Sequence, residues 1–182
     1  MNASPRILIM GVGNRMYGDD AFGPLFAEAL EQCGVPALNS ELDVFTAVSH
    51  LEGVDLLIFI DVVDKSFGEP GDVVVLRIDP RTLSPEEVAT AISFETSAHQ
   101  VTPAHIVLLG YSSGFFRGEA YVVGVVSEHT DFARKMSSRV VAAAERACLK
   151  LREIARSAEI NCVCVQKEFR NIVARYSQEF AE

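Results

Sequence analysis

Leu56-Leu57-Ile58-Phe59-Ile60 is an unbroken apolar run that stops abruptly at Asp61. A strand with one wet face alternates apolar and polar residues, whereas continuous bulk demands cover on both faces, as inside a parallel sheet wrapped by helices. The run Ile7 to Met10 has the same character. Behind it, Phe22, Leu25, Phe26, Ala29 and Leu30 fall on one helical face, with Asp19 and Asp20 at the positive end of that helix. Strand-like runs and helical periods alternate along most of the chain. The expected fold class is therefore α/β: a single domain with a twisted, mostly parallel sheet flanked by helices on both faces. A length of 182 residues suits one such domain.

Further elements follow from turn and cap signals. A weaker strand is expected over Leu38 to Leu42, a short helix around Ala47 to Leu51, and strands over Val73 to Ile78 and Ala120 to Val126. Ser84-Pro85-Glu86-Glu87 and Thr102-Pro103 both read as capped helix starts, and one long helix is expected from Asp131 to Ile154. Between the two caps, Ser93 to Gln100 is polar and aperiodic, a natural place for chemistry. The chain divides into an α/β domain over residues 1–156 and an extension over 157–182, where Phe169, Ile172, Val173, Tyr176 and Phe180 recur at helical spacing. The apolar face of that last helix needs a cover, supplied by this domain or by a partner protein.

A formal charge of −9 argues against a phosphate backbone as ligand, so no nucleic-acid partner is expected. The first apolar run is too short for a leader or a membrane span, so neither export nor membrane insertion is expected. Cys33, Cys148, Cys162 and Cys164 contain no Cys-x-x-Cys spacing, and the reading is a reducing, cytoplasmic location. Cys162-Val163-Cys164 supplies too few ligands for a metal and reads as structural.

Gly11-Val12-Gly13-Asn14 directly after the first strand invites a dinucleotide reading, but the third glycine position is Met16. Asp19 and Asp20 would also set negative charge where a phosphate must sit. A different constellation fits better. Asp20 follows the first strand and Asp61 closes a central one, so a parallel sheet brings both to its carboxyl edge, with His99 in the irregular loop able to return over them. Two carboxylates and an imidazole suit a borderline divalent metal such as Ni²⁺, Zn²⁺ or Mn²⁺. Each residue alone has a plain structural reading: Asp20 as a helix-start acid, Asp61 as a turn cap, His99 as a loop histidine. His105 reads as structural inside an apolar helix, and His50 and His129 as solvated or capping. Of Asp19 and Asp20, about 100° apart on a helix start, one is expected to face water. No Gly-x-Ser-x-Gly elbow is present, and Ser112-Ser113-Gly114 has no evident partner.

Gly11-x-Gly13-Asn14-x4-Asp19-Asp20-x2-Gly23, the strand ending in Asp61 and the later His99-Gln100 together resemble the hydrogenase maturation proteases, over roughly residues 6–154. The resemblance implies a twisted sheet flanked by helices, with Asp20, Asp61 and His99 as metal-binding and catalytic residues. It implies an endopeptidase that removes the C-terminal extension of a nickel-loaded [NiFe]-hydrogenase large-subunit precursor, the nickel arriving with the substrate and other divalent metals occupying the site in its absence. Gly13, Asn14, Asp19 and Asp43 would be supporting or substrate-binding residues, although Val44-Phe45-Thr46 replaces the glycine-rich turn usual after that acid. The expected partner is the large-subunit precursor, with self-association through the C-terminal helix as a further expectation. A non-catalytic, metal-dependent assembly factor binding the same nickel-loaded subunit is the alternative.

Overall fold

The computed structural model describes residues 4–39, 44–84, 86 and 102–180. Five strands, β1 (Ile7–Gly11), β2 (Leu38–Asn39), β3 (Leu56–Val63), β4 (Val73–Ile78) and β5 (Glu119–Val126), form one sheet in the order β2-β1-β3-β5-β4. All neighbours are parallel except β4, which runs antiparallel to β5 at the edge. The described helices are α1 (Phe22–Gln32), α2 (Val44–Ser49), α3 (Pro103–Ser112), α4 (Ser138–Ala142), α5 (Ala144–Ile154) and α6 (Cys162–Gln178). The α/β class and the doubly covered sheet are as expected.

Strand alternation sorts the apolar runs into two cores. Ile58 and Ile60 pack with residues of α1, α4, α5 and α6 on one face, while Leu57 and Phe59 pack with residues of α2 and α3 on the other. Both clusters contain fully buried residues, which is why these strands lack the polar alternation of a half-wet sheet.

Several boundaries differ from the sequence reading. β3 does not end at Asp61 but continues to Val63, with Asp61 paired to Gly124, Val62 to Val125 and Val63 to Val126. A charge ends an apolar run, but ladder hydrogen bonds belong to the backbone and pass through it. The expected long helix from Asp131 to Ile154 is two helices, and residues 131–137 precede both. Ser137 sets the start by capping Val140 N–H with its side chain. α2 begins at Val44, earlier than the periodicity suggested. Pro85 and Glu87 of the first cap signal, and residues 40–42 of the second strand, lie outside the described residues. The Thr102 cap holds as expected: its side chain accepts from His105 N–H and the His105 ring returns to the Thr102 backbone, giving His105 the structural role assigned to it.

The tail finds its cover within the chain. Phe169 of α6 sits edge-on to Phe22 at 5.1 Å and against Phe26 at 5.8 Å, and Ile172, Val173 and Tyr176 complete the contact. The cysteines form two disulfides that the sequence reading did not expect: Cys33 pairs with Cys164 and Cys148 with Cys162. Separations of 131 and 14 residues are invisible to a search for short spacings. Because disulfides persist mainly in oxidising compartments or in hyperthermophile cytosol, cysteine usage no longer argues for a reducing location. Among the described residues no helix is long and apolar enough to cross a membrane.

Candidate active site at the carboxyl edge of the sheet

Parallel strands deliver their following loops to one edge, so the segments after β1, β3 and β5 meet there. The loop after β1 is anchored where Val12 N–H donates to Ile60 O at 2.8 Å. It then turns at Gly13, whose φ of 137° suits glycine and where a side chain would collide with the Asp20 carbonyl. At Gly23 the start of α1 presses on the backbone of Val12 and Ile60, leaving no room for a Cβ. Gly13 and Gly23 thus bring loop, strand and helix into close contact around Asp20.

Asp20 lies in a short 3-10 turn, Gly18–Ala21, and its Oδ2 accepts from Asn14 N–H at 2.8 Å. Asp61 is half-buried in β3, and its Oδ1 accepts from Val62 N–H at 2.8 Å. By alternation Asp61 shares the sheet face of Leu57 and Phe59, the face covered by α2 and α3. Burial raises the Asp20 carboxyl, partly offset by the Asn14 bond. Asp61 is raised well above the usual carboxylate range, first because protein surrounds it and second because Asp20 is near. Among the described residues no basic side chain pairs with either acid.

Asp19 has a separate task. It is fully buried, and its carboxylate accepts from Glu128 N–H at 2.7 Å, His129 N–H at 3.0 Å, Ser137 N–H at 2.6 Å and Ser137 Oγ at 3.1 Å. Asp19 N–H in turn donates to His129 O. The acid that faces inward is therefore a clamp between the 3-10 turn and the segment after β5, leaving Asp20 half-exposed toward the site. Sequence reasoning missed Ser137 and its link to Asp19, because the partners are 118 residues apart and share no motif. His129 contributes backbone groups here.

His99 and Asp43 lie outside the described residues. Among the described residues, no group of three or more His, Cys, Asp or Glu side chains is close enough to hold a metal. The described structure brings together Asp20 and Asp61, supported by Gly13 and Asn14.

Relatives show the family. The hydrogenase 2 maturation protease of Escherichia coli (strain K12) is 31% identical over 157 residues, covering 81% of this chain and 92% of the relative. This chain belongs to the hydrogenase maturation protease family. Among solved structures, the hydrogenase maturating endopeptidase HybD from E. coli matches with a TM-score of 0.60 and 28% identity, over 82% of this chain and 94% of that one. A hydrogenase 2 maturation peptidase from Thaumarchaeota archaeon SCGC_AB-539-E09 matches with a TM-score of 0.59 and 27% identity, over 85% and 99%. No family model matches the chain. These likenesses favour a processing protease over a non-catalytic assembly factor.

Proposed function

We propose that this protein is the endopeptidase that removes the C-terminal extension from a nickel-loaded [NiFe]-hydrogenase large-subunit precursor, with Asp20, Asp61 and His99 addressing the nickel that the substrate carries. The observation that supports this most is the acid pair itself. Two carboxyls that are both raised by burial, Asp61 further by the nearby Asp20, and that have no cation among the described residues form a site whose cost a divalent ion would relieve. Oxygen donors from Asp20 and Asp61 with an imidazole nitrogen from His99 would fit nickel and other borderline divalent ions. The nickel would supply Lewis acidity toward the scissile carbonyl.

The chain's own residues hold and orient. Asn14 N–H and Val62 N–H each bind one carboxylate oxygen, leaving the other oxygen of each acid for the substrate. The Asp19 clamp keeps the 3-10 turn against the segment after β5, so the two acids approach a fixed point. A precursor without nickel would meet two repelling carboxyls and nothing to relieve them, which is a basis for selectivity.

The test is the intact mass of the precursor, nickel-loaded and nickel-free, before and after incubation with this protein. Loss of one C-terminal peptide from the loaded form alone is expected. A stable complex with no mass loss would overturn the endopeptidase reading, and equal cleavage of both forms would remove the nickel requirement.

A further inference from the structure

We propose that Tyr176, in the last turn of α6, is a positioning residue for the loop that orients Asp20, and that the two disulfides at the other end of α6 set where Tyr176 sits. For its activity readout, and only for that, the proposal rests on the endopeptidase reading.

Tyr176 Oη donates to Arg15 O at 2.6 Å, across 161 residues of sequence. Arg15 is the neighbour of Asn14, whose N–H holds the Asp20 carboxylate. The same junction is tied twice more: Arg15 pairs with Glu28 of α1 at 3.2 Å, and Arg175 reaches Glu28 at 3.9 Å. The last turn of α6, the middle of α1 and the glycine–asparagine loop therefore converge on one point. Packing alone does not call for a hydroxyl there, since Phe169, Ile172 and Val173 already seal α6 to the core. The Tyr176 ring is buried and stacks edge-on with Phe180 at 4.9 Å, which fixes the direction of its hydroxyl. Burial, Glu179 and Asp19 push the phenol up to about 12, so it remains a donor throughout the neutral range.

At its first turn α6 is held from two sides. Cys164 is bonded to Cys33, the residue that caps the end of α1, and Cys162 to Cys148 of α5. Between these staples and Tyr176 lies most of a helix of 17 residues, a span on the order of 20 Å at 1.5 Å per residue. Such a helix transmits a shift at one end to the other as a nearly rigid rod, so the staples and the loop are mechanically linked.

The experiment uses the full chain and the variant Tyr176→Phe, which keeps the ring and its packing and removes only the donor. Three quantities are read: amide exchange at Asn14, kcat and KM for peptide release from the nickel-loaded precursor, and Tm. Exchange at Asn14 about tenfold faster, kcat about tenfold lower with KM within about twofold, and Tm within about 2 °C are expected. Wild-type exchange at Asn14 in the variant, or faster exchange with unchanged kcat, would overturn the positioning role. If the wild-type protein releases no peptide, the endopeptidase reading falls, and the exchange at Asn14 still decides whether Tyr176 holds the loop.

The staples are tested with dithiothreitol. Each disulfide takes up two electrons and two protons to give two thiols, and each dithiothreitol becomes its cyclic disulfide. Reduction is expected to speed Asn14 exchange in the wild type and to add little in Tyr176→Phe, because the link is already cut there. An equal added effect in both proteins would overturn the part assigned to the disulfides.

Discussion

At the amino edge of the sheet, Asp79 accepts two hydrogen bonds from the Arg81 guanidinium at 2.8 Å each and is held at about 2, whereas at the carboxyl edge Asp20 and Asp61 are both pushed up. Two more acids there have partners: Glu119 pairs with Arg77 at 3.1 Å, and Asp55 accepts from Arg6 N–H at 2.8 Å. It also carries a cavity of about 740 Å³ lined by Arg77, Asp79, Arg81, Tyr111 and Arg117 among others. What distinguishes the carboxyl edge is charge left without an answer among the described residues, which has a cost in the free protein and, under the proposed function, would have a use when a cation arrives with the substrate.

The comparison breaks most sharply at Asp61. Asp61→Asn keeps the oxygen that accepts from Val62 N–H and removes the charge, and peptide release is expected to fall by about 10³-fold or more, read by intact mass over time. Next comes the clamp: Asp19→Ala leaves the amides of Glu128, His129 and Ser137 without their acceptor and is expected to cost about 3 kcal/mol in urea unfolding. A smaller effect has the opposite sign. Because the folded protein holds Asp61 above its unfolded value of 3.8, its contribution to stability is full below that value and is lost as pH rises through the folded one. Asp61→Asn is therefore expected to be more stable than wild type in urea unfolding at pH 7, with the difference vanishing toward pH 4. The smallest effect belongs to the amino edge, where Arg77→Ala breaks an exposed pair and is expected to cost below about 0.5 kcal/mol. A cost at Arg77 comparable with that at Asp19 would erase the contrast.

Much of this was legible in the residues. The doubly apolar runs of β1 and β3 announced a covered parallel sheet, and Asp20 and Asp61 followed from where such a sheet delivers its loops. Thr102-Pro103 marked a helix start because capping is local chemistry. The division of labour between Asp19 and Asp20 was not legible beyond the expectation that one would face water, since Asp19 is decided by donors in residues 128–137. The disulfides and the Tyr176–Arg15 bond escaped for the same reason: each joins segments that only the folded chain brings together. The break between α4 and α5 was hidden beneath an apolar composition that suits one helix as well as two.

The clamp on Asp19 also has a meaning in time. Both carboxylates of the site lie at or before residue 61, but the donors that hold their neighbour Asp19 arrive only with residues 128–137, beyond the last described strand. During synthesis the nascent segment would carry Asp19 without the donors that fix it, while the partners of Asp20 and Asp61, Asn14 and Val62, are already made. Closing a contact over 118 residues is slow for a chain and comes after local structure has formed. The clamp beside the site is thus assembled late, and a chain cut short of residues 128–137 lacks the donors that hold Asp19.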